Sequence, residues 1–141
     1  MKKYIINEIH SDGYERFAVI EEIEKNAKIN VHFLEYDEYL ENGEESRKKK
    51  TGDILEEDIS IELVTFSRKT DDGLSHHQNI QGSPSIKAVI EITQIIDAYS
   101  IYAVSSILDN NILIEFESAV NYKVGERILV VGSLELNEMK D

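Results

Sequence analysis

The 141-residue chain has no cysteine and no long hydrophobic run. Without cysteine, no disulfide framework, thiolate nucleophile or cysteine-based zinc site can form, and nothing requires an oxidising compartment. The first residues include two lysines, as a signal peptide does, but Asn7 and Glu8 interrupt the apolar stretch that would have to follow. No segment approaches the length of a membrane span. We therefore expect a soluble cytoplasmic protein.

Glycine is scarce, with seven residues that are mostly isolated. The glycine-dependent signatures of catalysis and nucleotide binding are accordingly missing: there is no G-x-S-x-G elbow, no P-loop and no dinucleotide fingerprint. The stretch "DEYLENGEES" (37–46) lacks the Asp/Asn spacing of a calcium-binding EF-hand. With 28 acids, carboxylate pairs are unavoidable, and a glycosidase would need two of them across a cleft. We predict a non-enzymatic protein with no catalytic residue and no cofactor.

Histidine offers the remaining metal ligands. His76 and His77 are adjacent, and neighbouring residues of an extended segment point in opposite directions. His10 and His32 fall in two separate predicted strands, and no third ligand stands at a useful spacing. A solvated loop is the favoured interpretation of the histidine pair, and no metal site is predicted.

Negative charge dominates the chain, which has a net charge of −13. The excess of acids occurs in both halves rather than in a tail. Such a field repels phosphate backbones and anionic lipid and attracts basic partners. The simpler interpretation is that the acids only keep a small protein in solution.

Four sequence blocks recur in the same order in the two halves, which predicts an internal duplication. The paired blocks are "INEI" with "ITQI" (6–9 and 92–95), "DGYERFAV" with "DAYSIYAV" (12–19 and 97–104), "INVHF" with "ILIEF" (29–33 and 112–116), and "KTGDILEEDISIEL" with "KVGERILVVGSLEL" (50–63 and 123–136). Between the third and fourth blocks the first copy is ten residues longer. We predict a first β unit at 1–66, a polar linker at 67–85 that carries the only proline, and a second β unit at 86–141.

The blocks alternate apolar and polar residues, which indicates half-buried strands. In the last block Leu55, Ile59, Ile61 and Leu63 share one parity, and Glu57 breaks it. The segment 89–108 is compatible with a helix, but its β-branched and aromatic content favours two strands that meet near Asp97. A turn is predicted at 108–111, directly before the strand "ILIEF".

The segments "GDILEEDISIEL" and "GERILVVGSLEL" resemble the glycine-flanked strand of OB-type barrels, and the residues before the second one resemble the opening three-stranded meander of that fold. Gly132 keeps the second glycine of the pattern, and Ile59 replaces it in the first copy. A fifth strand is not evident in either copy. The predicted fold is all-β, with two tandem OB-like units; one pseudo-twofold barrel built from two four-stranded halves is the alternative. The resemblance implies binding of single-stranded nucleic acid, oligosaccharide or protein.

The extra length of the first copy is "EYDEYLENGEESRKKK" (35–50), in which acids and tyrosines precede a run of four bases. "NG" at 42–43 predicts a tight hairpin turn. We interpret the segment as a protruding loop that binds a basic protein, with tyrosines as anchors and acids for steering. The predicted partner-binding residues are Glu35, Tyr36, Asp37, Glu38, Tyr39, Glu41, Glu44 and Glu45. The alternative is a solvated loop whose acidic and basic runs screen each other.

We therefore expect an acidic binding module that docks on a basic protein, in its most specific form an immunity or antitoxin-type inhibitor that covers the cationic active site of a toxin. The alternative is an OB-type single-strand or oligosaccharide binder. It would use the run at 47–50 and the aromatic residues Tyr14, Phe17, Tyr99 and Tyr102 as stacking platforms, although these aromatics suit core packing as well. The strong negative charge disfavours nucleic acid.

Overall fold

The computed structural model of the chain describes residues 2–107 and 111–137, and they form an all-β protein. Of the turn predicted at 108–111, residues 108–110 lie outside the described residues, and Asn111 is the first residue of a strand. The ten strands are β1 (Lys3–Asp12), β2 (Glu15–Glu22), β3 (Lys28–Leu34), β4 (Ile54–Glu56), β5 (Asp58–Lys69), β6 (Ser75–His77), β7 (Ser85–Ile95), β8 (Ser100–Val104), β9 (Asn111–Phe116) and β10 (Arg127–Asn137). Within the described part of the chain no helix is long and apolar enough to cross a membrane.

The described residues group into two compact units. The first unit contains residues 2–58, 80–84 and 135–137, and the second contains 59–79 and 85–134 without the gap at 108–110. These limits differ from the predicted division at 1–66, 67–85 and 86–141. The predicted linker contains the end of β5 and all of β6. The difference arises because hydrogen bonds between strands distant in sequence decide which residues pack together.

The first unit is built on an antiparallel meander of β1, β2 and β3. Strand β4 pairs with the free side of β1, and Glu135 at the end of β10 pairs in parallel with His32 of β3. Alternation places one face of each strand in the core, as the sequence predicts. The buried apolar residues include Tyr4, Ile6, Ala18, Ile20, Ile29, Val31, Phe33 and Leu55.

The second unit contains a closed five-strand barrel, which is compatible with an OB-like small barrel. Its strands follow the order β10-β5-β9-β8-β7, and antiparallel pairing of β7 with β10 closes it. The fifth strand that the sequence did not reveal is β5, which pairs in parallel with β9 and precedes the meander in the chain. The segment 89–108 contains two strands as predicted. At the turn between them, the backbone N–H groups of Ile96 and Asp97 donate to the carbonyl oxygen of Ser100. This five-strand barrel differs from the predicted alternative, in which two four-stranded halves together form one pseudo-twofold barrel.

The parity predicted for the strand that became β5 is wrong at Leu63. Ile59 and Ile61 are buried as expected, but Leu63 is exposed and has a φ of 55°, and Val64 is buried in its place. The pairing of β5 with β9 shifts register between Ile61 and Val64. A β-bulge of this kind adds one residue and moves the following side chains to the other face.

Gly132 permits a close approach between two strands of the barrel. It pairs with Ile86 of β7 in a regular register. A Cβ atom at this position would lie 2.7 Å from the carbonyl oxygen of Glu62 in β5. The glycine is therefore required because a side chain would collide with the neighbouring backbone.

The two units contain the same glycine turn. In the first unit the N–H of Gly52 donates to the carbonyl of Ile6 at 2.8 Å, and in the second the N–H of Gly125 donates to that of Ile92 at 2.8 Å. Both glycines have a positive φ, 95° and 90°. A matching pair of turns does not by itself confirm the tandem duplication, which stays a prediction.

Candidate functional site

The segment between β3 and β4, residues 35–53, is here called the charged loop, and it folds back along the turn between β1 and β2. The N–H of Glu35 donates to the carbonyl of Tyr14 at 2.8 Å. Gly13 and Leu40 exchange two backbone hydrogen bonds, at 2.7 and 3.0 Å. The N–H of Gly43 then reaches the carbonyl of Ser11 at 3.0 Å. The loop is therefore held by its backbone over much of its acidic half.

A buried arginine holds the loop to the strands. Arg16 of β2 is 0% exposed, and its guanidinium donates to the carbonyl oxygens of Gly13 at 2.9 Å and Glu15 at 3.0 Å. It also donates to the carbonyl oxygen of Glu38 and lies 3.4 Å from the Glu38 carboxylate. Burial of a guanidinium is costly unless its donors are bonded and its charge is paired. Both terminal nitrogens of Arg16 are bonded and its charge lies beside Glu38, so it joins the β1–β2 turn to the charged loop, although its buried Nε has no hydrogen-bond partner.

Glu38 organises the second half of the loop. Its carboxylate accepts the hydroxyl of Ser46 at 3.0 Å and the N–H of Arg47 at 2.9 Å. Partial desolvation acts to raise the pKa of Glu38, but the bonds from the Arg47 N–H, the Ser46 hydroxyl, the Lys48 N–H and the Arg16 guanidinium together hold it below its ordinary value. Glu38 is one of the predicted partner-binding residues, and its carboxylate bonds groups of the loop itself and Arg16.

Glu35 is also engaged internally. The side chain is 9% exposed, and a carboxylate oxygen lies 3.1 Å from the ammonium of Lys49, which is 13% exposed. The same ammonium is 4.0 Å from Glu57 and 5.2 Å from the centre of the Phe33 ring. A cation over an aromatic face is a further favourable contact. This pair joins the acidic run to the basic run at a position with little exposure to solvent.

The tip of the loop is a tight turn, as "NG" predicts. The N–H of Glu44 donates to the carbonyl of Glu41 at 3.0 Å, and Gly43 has a φ of 85°, which a glycine adopts without strain. The carboxylate of Glu44 accepts the N–H of Glu41 at 2.8 Å. The turn does not join two strands, because residues 41–53 form none. Without apolar residues after the turn, the returning chain has no face to bury.

Three tyrosines meet on the outside of the loop, and we call Tyr14, Tyr36 and Tyr39 the tyrosine cluster. The ring centres of Tyr14 and Tyr39 are 5.2 Å apart with the rings near perpendicular, and those of Tyr14 and Tyr36 are 6.3 Å apart. The exposed fractions are 45% for Tyr14, 73% for Tyr36 and 61% for Tyr39. Tyr14 stands in the turn after β1, so only the folded chain shows that it belongs with the other two.

The four remaining acids of the predicted site, Asp37, Glu41, Glu44 and Glu45, are exposed. Asp37 lies 3.9 Å from the ammonium of Lys48, with side chains 79% and 53% exposed. An ion pair this long and this exposed contributes little. The predicted site thus divides into two internal acids, Glu35 and Glu38, and an outward-facing set of two tyrosines and four acids.

An open cleft of about 470 Å³ lies beside the loop in the first unit. Its lining residues are Glu35, Asp37, Lys48, Lys49, Asp53, Ile54 and Leu55. Acids and bases face it together, so the cleft offers no field of a single sign to a charged ligand. The tyrosine rings do not line it.

His32 stands between two carboxylates on the first unit. Its Nδ1 lies 2.7 Å from the Glu135 carboxylate, and its Nε2 lies 3.3 Å from that of Glu15 as an ion pair rather than an aligned hydrogen bond. The ring also packs on Phe17, with ring centres 5.0 Å apart. The hydrogen bond to Glu135 raises the pKa of His32 against the opposing effect of burial, and the charges of Glu135 and Glu15 raise it further. Sequence reasoning missed this cluster because its members come from three strands.

His76 of the second unit bonds a hydroxyl rather than an acid. Its Nδ1 lies 2.7 Å from Ser106 Oγ. Burial lowers the pKa of His76, and the neighbouring His77 lowers it further. Across residues 2–107 and 111–137, no three His, Asp or Glu side chains are grouped as a metal ion would need.

No protein-family model, no curated protein and no solved structure matches this chain.

Proposed function

We propose that the protein is a non-enzymatic binding module that docks on a basic protein through the tyrosine cluster and the exposed acids of the charged loop. The observation that carries the proposal is the exposure of three contacting tyrosine rings next to four outward-facing acids. Tyrosines are common anchors of protein interfaces, because one end of the ring is apolar and the other forms hydrogen bonds.

The arrangement of the loop supports this proposal, because the cluster is held before any partner arrives. Arg16, the paired backbone bonds of Gly13 and Leu40, and the bond from Glu35 to Tyr14 fix the segments that carry the rings. A surface ordered in advance loses less conformational entropy on binding. The narrower form of the proposal is an inhibitor of the immunity or antitoxin type, since a net charge of −13 complements a cationic active site.

The first test is the recovery of partners from a lysate of the cells that produce the protein, with nuclease treatment and at two salt concentrations. The bait is compared with a variant that changes only the exposed loop acids, Asp37→Asn, Glu41→Gln, Glu44→Gln and Glu45→Gln. The control changes four exposed acids elsewhere: Glu8→Gln, Glu24→Gln, Asp71→Asn and Glu117→Gln. Both variants have the same net charge, so the comparison separates the local site from the overall field.

We expect one basic protein that survives nuclease treatment, is retained by the control and is recovered poorly by the loop variant. Association of the purified pair should be about tenfold slower for the loop variant, with a flatter dependence on salt. Equal association rates for the two variants would remove the charged loop from the binding site. Recovery of RNA or DNA in place of a protein would favour the OB-type nucleic-acid function.

A further inference from the structure

We propose that Tyr36 and Asp37 form the contact site for one arginine side chain of the partner, with the guanidinium stacked on the tyrosine ring and paired with the carboxylate. This inference rests on the proposed function and specifies the chemistry that the site recognises. Tyr36 is the most exposed ring of the tyrosine cluster, at 73%, and Asp37 follows it directly with a side chain that is 79% exposed.

The ring of Tyr36 contacts Tyr14 and is otherwise largely exposed. Its centre lies 6.3 Å from that of Tyr14, with planes tilted by 41°, while Tyr14 packs edge-on against Tyr39. Tyr39 is itself placed by the backbone bonds between Gly13 and Leu40, and its ring would lie 3.4 Å from a Cβ atom on Gly13. Tyr14 and Tyr39 therefore each give part of their ring surface to the other, and Tyr36 is the most exposed ring of the three.

The carboxylate of Asp37, which follows Tyr36 in the chain, differs from its acidic neighbours because no short internal contact of the described residues holds it. Glu35 and Glu38 are bound inside the loop by Lys49 and Arg16. Among the residues that the structure describes, the ion pair of Asp37 is the long, exposed one with Lys48, at 3.9 Å. A partner cation can replace a contact of this kind at little cost. Of the three acids at 35–38, Asp37 is therefore the one that can leave Lys48 and pair with a cation of the partner.

Arginine fits this site better than lysine. A guanidinium is planar and weakly hydrated, so it stacks on an aromatic ring and still presents two N–H groups in its own plane to a carboxylate. A lysine ammonium is compact and strongly hydrated, and it forms the stack less favourably. A guanidinium can therefore stack its flat face on the ring of Tyr36 while its N–H groups bond the carboxylate of Asp37.

The test uses three capped tripeptides, Gly-Arg-Gly, Gly-Lys-Gly and Gly-citrulline-Gly, titrated into the labelled full-length protein and followed by NMR. Citrulline has nearly the shape of arginine without its charge. We expect the arginine peptide to shift the resonances of Tyr36 and Asp37, and to bind about fivefold more tightly than the citrulline peptide and more tightly than the lysine peptide. Shifts of equal size with all three peptides, or shifts confined to other residues, would overturn the inference.

Two pairs of variants show which group acts. Tyr36→Phe should retain binding of the arginine peptide because the ring is kept, whereas Tyr36→Leu should lose about threefold to fivefold. Asp37→Asn should lower the affinity by a similar factor, and Tyr99→Leu, at a tyrosine of the second unit that is 52% exposed, should leave it unchanged. These side chains are exposed, so the variants are expected to fold, which circular dichroism verifies.

The two proposals fail in different ways. If the loop-acid variant loses its protein partner while the peptides bind without preference, the docking function stands and the arginine site is wrong. If the arginine peptide binds as expected but no protein is recovered from the lysate, the arginine site stands and the docking function is wrong.

Discussion

Arg16 of β2 and Glu38 of the charged loop are joined twice, through the Glu38 carbonyl oxygen and through its carboxylate at 3.4 Å. The guanidinium is fully buried, and the two residues are 22 positions apart. The sequence of the charged loop is compatible with a solvated loop, but these contacts make the loop part of the folded first unit. They also place the tyrosine cluster on a fixed support, so the stability of the loop and the proposed binding site depend on the same contacts.

Arg16→Met should destabilise the protein strongly. The substitution removes the donors to the carbonyl oxygens of Gly13, Glu15 and Glu38 and leaves these acceptors poorly solvated. We expect a loss of about 3 kcal/mol in the free energy of unfolding, measured by urea denaturation and circular dichroism. Arg47→Met is the matched control, because that arginine is exposed in the same loop. Equal stability of the two variants would contradict the role of Arg16 as a clamp.

Gly132→Ala should also destabilise the protein, for a steric reason. The added Cβ would lie 2.7 Å from the carbonyl oxygen of Glu62, and a backbone atom moves only when its strand moves. We expect a loss of about 2 kcal/mol by thermal or urea unfolding. Gly73→Ala has no atom within 4 Å of the new Cβ and should change stability by less than about 0.5 kcal/mol. If both substitutions are neutral, the close approach of β5 and β10 is not as described.

Lys49→Met and Lys48→Met should differ although the residues are neighbours. The Lys49 ammonium lies 3.1 Å from Glu35 and 4.0 Å from Glu57, which are both little exposed, so its loss removes a cation from beside two partly buried carboxylates. We expect a loss of about 2 kcal/mol for Lys49→Met. The Lys48 ammonium pairs with Asp37 in an exposed contact at 3.9 Å, and Lys48→Met keeps the backbone N–H, so this substitution should cost less than about 0.5 kcal/mol. Denaturation of both variants at pH 7 measures this difference, and equal losses would show that burial of the pair is unimportant.

His32 should make the stability of the first unit depend on pH. Its folded-state pKa is raised above the ordinary 6.5, chiefly by the hydrogen bond to Glu135. The stabilisation by the charged imidazole is therefore fully present below pH 6.5 and is lost as the pH rises through the higher folded-state pKa. Glu135→Gln should remove most of this dependence.

An NMR titration of the histidine rings tests the direction independently of stability. His32 should titrate at a higher pH than His76, because burial lowers the pKa of His76. The variants His32→Gln and His76→Gln assign the two signals. The opposite order of titration would contradict the arrangement of His32 between Glu135 and Glu15.

The strands of the meanders could be predicted because alternation of apolar and polar residues is a local property. Ile29, Val31 and Phe33 alternate in the sequence and are buried in β3, and the segment 89–108 forms two strands around Asp97 as expected. The error at Leu63 has a different origin. A β-bulge reverses the parity after it, and its position depends on the partner strand β9 rather than on the residues of β5.

The sequence by itself determined the all-β class, the absence of disulfides, the strong negative charge and the tight turn at Asn42–Gly43, because each follows from composition or from the preferences of a few adjacent residues. Only the tertiary structure decided that β5 completes the second-unit barrel, that Tyr14 joins Tyr36 and Tyr39, and that Glu35 and Glu38 are internal. The sequence does not show whether an acidic side chain faces water or a buried cation. The difference comes from partners such as Arg16 and Lys49, which only the folded backbone brings within reach.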